Sequence, residues 1–100
     1  MATCLFRSPL AARLQAFLET RRATGRWGER HQKIILYLDR FLTAELKPGQ
    51  AITRSIVMRW IEGMAHLSIG TRINRLCILR QFCLYLRYFD PRTCIIQRSF

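Results

Sequence analysis

Acid is scarce in this sequence: six Asp and Glu stand against seventeen Lys and Arg, and none occurs between Glu62 and Asp90. The six are scattered along the chain, which excludes a paired-carboxylate site and a divalent-cation site. Only two histidines occur, His31 and His66; neither has an arginine three residues on, nor a second histidine at metal spacing. A Gly-rich phosphate loop is missing as well. The tyrosines Tyr37, Tyr85 and Tyr88 lack the neighbouring base and oxyanion clamp that a nucleophile needs. Cysteines at 4, 77, 83 and 94 form no C-x-x-C pair, so they read as small buried thiols in a reducing compartment, not as metal ligands. No apolar run reaches the ~18 residues that a membrane span needs. The chain is therefore read as non-catalytic, with no metal and no cofactor, and as cytoplasmic. Linker-like Gly/Ser/Pro clusters, internal repeats and low-complexity segments are also missing.

What is present is charge on an apolar frame. The net charge is +11 and half of the 100 residues are apolar, which suits a single domain spanning 1–100 with one modest core. Such an excess of cations carries a cost in self-repulsion and calls for a polyanionic partner, nucleic acid before an anionic membrane surface. The acid-poor N-terminus superficially suits a transit peptide. However, Leu10, Leu14, Phe17 and Leu18 form a helical stripe there, so it is read as the first helix.

Periodicity predicts helices over about residues 9–24, 28–46, 53–65 and 68–88, with no strand-like alternation, hence an all-α bundle of four main helices. Ser8-Pro9 opens the first and Thr24-Gly25 stops it. Trp27-Gly28 opens the second, which buries Ile34, Ile35, Leu38, Phe41 and Leu42 and presents Arg30, Lys33, Tyr37 and Arg40 on the opposite face. Glu29 stands four residues before Lys33, the favourable order for a supporting ion pair. His31 belongs at the core edge. Pro48-Gly49 ends this helix, and Thr53 is expected to cap the third, whose apolar face is Ile56, Val57, Trp60, Ile61 and Met64. In the fourth, capped by Ser68, the expected buried stripe is Ile69, Ile73, Leu76, Leu79, Phe82, Cys83 and Leu86. The tail from Thr93 forms a short extra turn around Cys94-Ile95-Ile96 or leads into a partner domain.

A reader of duplex grooves needs Arg and Lys for phosphates and short polar side chains for base edges. Ser68, Thr71, Arg72, Asn74 and Arg75 supply both within two turns, at a helix N-terminus whose dipole attracts phosphate. Thr71, Asn74 and Arg75 fall away from the expected apolar stripe, whereas Arg72 and Arg80 lie at its margin.

The run Ser68-x-x-Thr71-Arg72-x-Asn74-Arg75-Leu76-x-x-Leu79-Arg80-x-Phe82-x-x-Tyr85-Leu86 resembles the last long helix of the core-binding domain of tyrosine recombinases, the SAM-like N-terminal domain of phage-type integrases. Ile52-Thr53 through Val57, Trp60 and Ile61 is similar to that domain's third helix, and Leu38-x-x-Phe41-Leu42 to the end of its second. The resemblance implies half of a C-shaped clamp on double-stranded DNA, working beside a catalytic domain and sister protomers. It implies DNA-facing roles for Arg30, Lys33, Thr71, Arg72, Asn74 and Arg75. Trp27-Gly28-Glu29-Arg30 departs from the family's Ser-x-x-Thr, placing an acid where a phosphate would approach, and Arg54-Ser55 replaces acids at the third helix start. The family's catalytic residues belong to a second domain onto which nothing here maps. Ending at Phe100, about where the family's interdomain linker begins, the chain is expected to be an excised or truncated domain, monomeric in isolation and nucleoid-associated in a bacterial or phage setting. Two other functions fit the pattern: an independent helix-turn-helix regulator, and a protein-interaction or membrane-surface module using a basic amphipathic helix.

Overall fold

The computed structural model describes residues 6–25 and 28–96. The chain is all-α with four helices: α1 (Ala11–Ala23), α2 (Glu29–Glu45), α3 (Arg54–Glu62) and α4 (Ile69–Leu86). It divides into two compact units, Met1–Gly49 and Gln50–Phe100. Cys4, the Trp27 assigned to the opening of the second helix, and the tail beyond Ile96 lie outside the described residues.

In the first unit α1 and α2 pack together. Leu14, Phe17 and Leu18 are buried on α1, and Ile34, Ile35, Leu38 and Leu42 on α2. Leu10 and Phe41, expected in these stripes, are only half-buried. The Ser8 hydroxyl accepts from the Leu10 amide at 3.3 Å and its carbonyl from Ala11 at 3.0 Å, so the Ser8-Pro9 turn feeds α1. Gly25, at φ +74°, ends α1 by turning into the left-handed region that glycine enters without strain. Gly49 at φ +84° does the same after α2.

Among the described residues of this unit, Ser8 and Asp39 are the buried polar residues. Asp39 is only 5% exposed on the buried side of α2, and its carboxylate accepts the backbone amides of Arg7 (3.1 and 3.0 Å) and Ser8 (2.9 Å). The segment entering α1 is thereby tied to the middle of α2.

In the second unit, Ile56, Val57 and Trp60 of α3 are buried, as is Met64 just beyond it. Thr53 makes no side-chain cap; it is exposed, so water can serve the first-turn amides that its hydroxyl was expected to satisfy. The helix stops at Glu62 and not near 65, because the amides of Met64, Ala65 and Leu67 bond three residues back, to Ile61, Glu62 and Met64. Ser68 does cap α4, accepting the Thr71 amide at 3.4 Å.

The buried face of α4 is Ile78, Leu79, Phe82, Cys83 and Leu86. Two residues of the expected stripe are therefore misplaced: Ile69 and Ile73 stand 69% and 55% exposed. The helix is apolar on two sides, and period alone does not say which side faces inward. After α4 a turn over Asp90–Thr93 sends the chain back. There the Cys94 amide bonds the Ile52 carbonyl at 2.8 Å, Arg80 Nε bonds the Ile96 carbonyl at 3.1 Å, and Thr93 and Ile96 are buried. The Cys94–Ile96 stretch is thus a packed, irregular segment and not a helical turn.

Candidate nucleic-acid interface

The two sets of residues expected to face DNA lie in different units, and each is described by itself. On α2, Arg30, Lys33, Tyr37 and Arg40 recur at three- and four-residue steps, which puts them on one side of the helix, away from Ile34, Ile35, Leu38 and Leu42. All four are exposed, Tyr37 at 40%. Arg30, Lys33 and Arg40 make no ion pair or side-chain hydrogen bond among the described residues, and the expected Glu29–Lys33 pair does not form there. At 1.5 Å per residue the row from Arg30 to Arg40 covers about 15 Å, close to the rise of four nucleotides at 3.4 Å each along one strand. The buried apolar residues and the exposed cations, which make no ion pair among the described residues, thus occupy opposite sides of α2.

The start of α4 is arranged differently from expectation. The Ser68 hydroxyl donates to Thr71 Oγ1 at 2.9 Å while accepting the Thr71 amide, so both hydroxyls are engaged in capping. Asn74 is exposed. Arg72 and Arg75 are half-buried with their Nε atoms enclosed, and Arg72 Nε meets no acceptor among the described residues. Thr71 is half-buried too. Arg75 therefore shares the core margin with Arg72 rather than standing clear of it. Arg80, assigned to the same margin, is held by the Ile96 carbonyl.

Much of what α4 presents to solvent is apolar. Ile69, Ile73, Cys77 and Leu84 follow one another along its exposed side, and Tyr88, in the turn just beyond the helix, is 90% exposed. Leu84, Arg87 and Tyr88 line a surface cavity of about 450 Å³ at that end. Ile69 and Ile73, expected in the buried stripe, belong to this exposed row.

The remaining ionisable groups have structural surroundings. His31 is half-buried at the core edge and His66 exposed, and no group of three or more His, Cys, Asp or Glu that could hold a metal occurs among the described residues. Burial, with a smaller contribution from nearby Cys94, pushes the Cys83 thiol from an ordinary 9.0 up to about 12, so it is protonated and a poor nucleophile at neutral pH. Asp90 pairs with Arg92 at the surface through Nε (3.0 Å) and Nη2 (2.9 Å) and accepts the Arg92 amide as well. These bonds hold the Asp90 carboxyl below, and the Arg92 guanidinium above, its usual range.

Two residues of this surface escaped the reading of the sequence. Asp39 left a signal, an acid at i+4 from Ile35 and i−3 from Leu42 on an otherwise apolar face. Arg7 left none beyond the general excess of cations, because its place depends on a contact with a residue 32 positions away. Among the described residues no helix is long and apolar enough to cross a membrane. No protein-family model, curated protein or solved structure shows a significant match to this chain.

Proposed function

We propose that this chain binds double-stranded DNA, with the α2 face of Arg30, Lys33, Tyr37 and Arg40 laid along the phosphate backbone and Asn74, Arg72 and Arg75 contributing from the start of α4. The observation that carries the reading is the α2 face itself, three exposed cations without a counter-ion among the described residues, in a chain of net charge +11. The resemblance of the α4 sequence to the core-binding domain of tyrosine recombinases supplies the finer form of the proposal. In that form the chain is half of a clamp at a recombination site in the bacterial cytoplasm, and a separate domain of the parent protein performs strand cleavage and rejoining.

The test is a fluorescence-anisotropy titration of a duplex of about 30 base pairs at two salt concentrations, with anionic liposomes run alongside. Binding should weaken with salt with a slope of about −0.9 per phosphate neutralised. Lys33→Ala should weaken it further with the helical circular dichroism unchanged. Duplex affinity indifferent to both salt and Lys33 would refute the proposal.

A second reading, a protein-interaction or membrane-surface module, is favoured by the exposed apolar row on α4. It predicts that the liposomes bind and the duplex does not, and that Ile73→Asp abolishes the liposome binding.

A further inference from the structure

We propose that Arg7 and Arg40 together grip one backbone phosphodiester of the bound duplex, which makes Arg7 a DNA contact and Asp39 the residue that positions it. This inference rests on the DNA-binding reading and deepens it. A surface cavity of about 410 Å³ in the first unit is lined by Arg7, Leu36, Asp39, Arg40 and Thr43. At roughly 30 Å³ per water, that volume takes a tetrahedral phosphate group together with the waters that bridge it.

The charges at this cavity are arranged for an anion. Arg7 and Arg40 are exposed, and neither makes an ion pair among the described residues. The one acid in the lining, Asp39, has both oxygens engaged by the backbone amides of Arg7 and Ser8 and is only 5% exposed. The Thr43 hydroxyl donates to the Asp39 carbonyl at 2.8 Å, so it competes for no ligand oxygen. The lining thus carries two guanidinium groups, neither in an ion pair among the described residues, against one carboxylate, and planar guanidinium forks match phosphate oxygens.

Preorganisation is the second part of the argument. Arg40 follows Asp39 in α2, and the backbone of Arg7 is fastened to that same Asp39 carboxylate through three contacts of 2.9–3.1 Å counted with Ser8. The two arginines therefore start from backbones locked to one another before DNA arrives, so less ordering accompanies binding. Arg40 is also the last member of the α2 basic row, and the clamp extends that row onto the segment before α1.

The experiment is the duplex titration over a salt series with the full chain, using Arg7→Gln, Arg40→Gln, the double variant and Arg87→Gln. The Arg7→Gln variant keeps the backbone amide that Asp39 holds, so the fold is unaffected, which melting temperatures check. Each single variant should lose affinity about tenfold, as for a charge-assisted contact, with the salt slope nearly kept, because the remaining arginine still neutralises the phosphate. Because both arginines hold one phosphate, the double variant should lose about 0.9 of slope in all, and its affinity loss should fall short of the product of the two single losses. Arg87→Gln should leave the slope of the wild type. If Arg7→Gln binds like the wild type while Lys33→Ala is weakened, the inference fails and the DNA-binding reading stands. Additive losses, with a slope change near twice 0.9, would overturn the shared phosphate in favour of two separate contacts. Absence of salt-sensitive duplex binding in the wild type, or transfer of the Arg7 dependence to anionic phospholipid vesicles, overturns the inference and the DNA reading together.

Discussion

Removing the Asp39 carboxylate tests the frame on which the α2 surface depends. In Asp39→Ala the amides of Arg7 and Ser8 lose their acceptor. Ser8 is buried, so its amide stays dry and bears the full cost of an unsatisfied donor, ~1–3 kcal/mol; Arg7 is exposed and its amide recovers part of the loss from water. The sum is about 2–4 kcal/mol, a large share of the ~5–15 kcal/mol that holds a domain together. Asp39→Asn should cost less. An amide oxygen in the Oδ1 position still reaches both donors, but the charge assistance is gone and the amide nitrogen opposes the Arg7 N–H that lay 3.0 Å from Oδ2, for ~1–2 kcal/mol. The expected order of stability is Asp, then Asn, then Ala, read from urea midpoints, with faster hydrogen exchange at Arg7 and Ser8 in both variants. A loss below ~0.5 kcal/mol for Asp39→Ala, the size of an ordinary surface change, with Ser8 still protected, would refute this account of the anchor.

Two further expectations concern α4. Leu79→Ala should destabilise the second unit by ~2–5 kcal/mol, while Ile73→Ala should stay within ~0.5 kcal/mol of the wild type; equal costs at the two positions would mean that the inward face has been misassigned. Cys83 should make stability depend on pH. Its native thiol titrates at about 12 against an ordinary 9.0, so above pH 9 the unfolded chain releases a proton that the native state keeps. The contribution is complete below pH 9 and falls by at most ~1.4 kcal/mol per pH unit above it. The difference in urea midpoint between wild type and Cys83→Ala should shift accordingly from pH 8 to pH 10, and a constant difference would contradict the burial of this thiol.

The all-α architecture with four helices was legible because each helix carries its apolar residues at helical period between strong stops. Gly25 and Gly49 are such stops, since their positive φ values suit glycine and few other residues. The basic face of α2 was legible for the same reason: its buried side is unambiguous, so the opposite side follows. On α4 that logic broke down. Ile69, Ile73 and Cys77 continue an apolar row that lies in solvent, while Ile78, Leu79, Phe82, Cys83 and Leu86 form the row that is buried. A helix with two apolar sides satisfies the periodicity test twice, and packing chooses between them.

The misassignment on α4 has a chemical consequence for any DNA-binding role. With the inward face turned toward Ile78, Arg75 joins Arg72 at the core margin, and Asn74 is exposed at the helix start together with the capping Ser68. A half-buried arginine has part of its guanidinium desolvated already, so pairing it with phosphate removes less water than pairing a fully hydrated one, and its stem is already ordered. The α2 cations are the reverse, exposed and suited to long-range, salt-screened attraction. Under the DNA-binding proposal the two sets would divide the work: the α2 face, with Arg7 added through Asp39, would set the salt dependence of encounter, and the arginines of α4 how tightly the docked duplex is held. Alanine substitution at Lys33 should accordingly act mainly on the association rate and its salt slope, and substitution at Arg75 mainly on the dissociation rate.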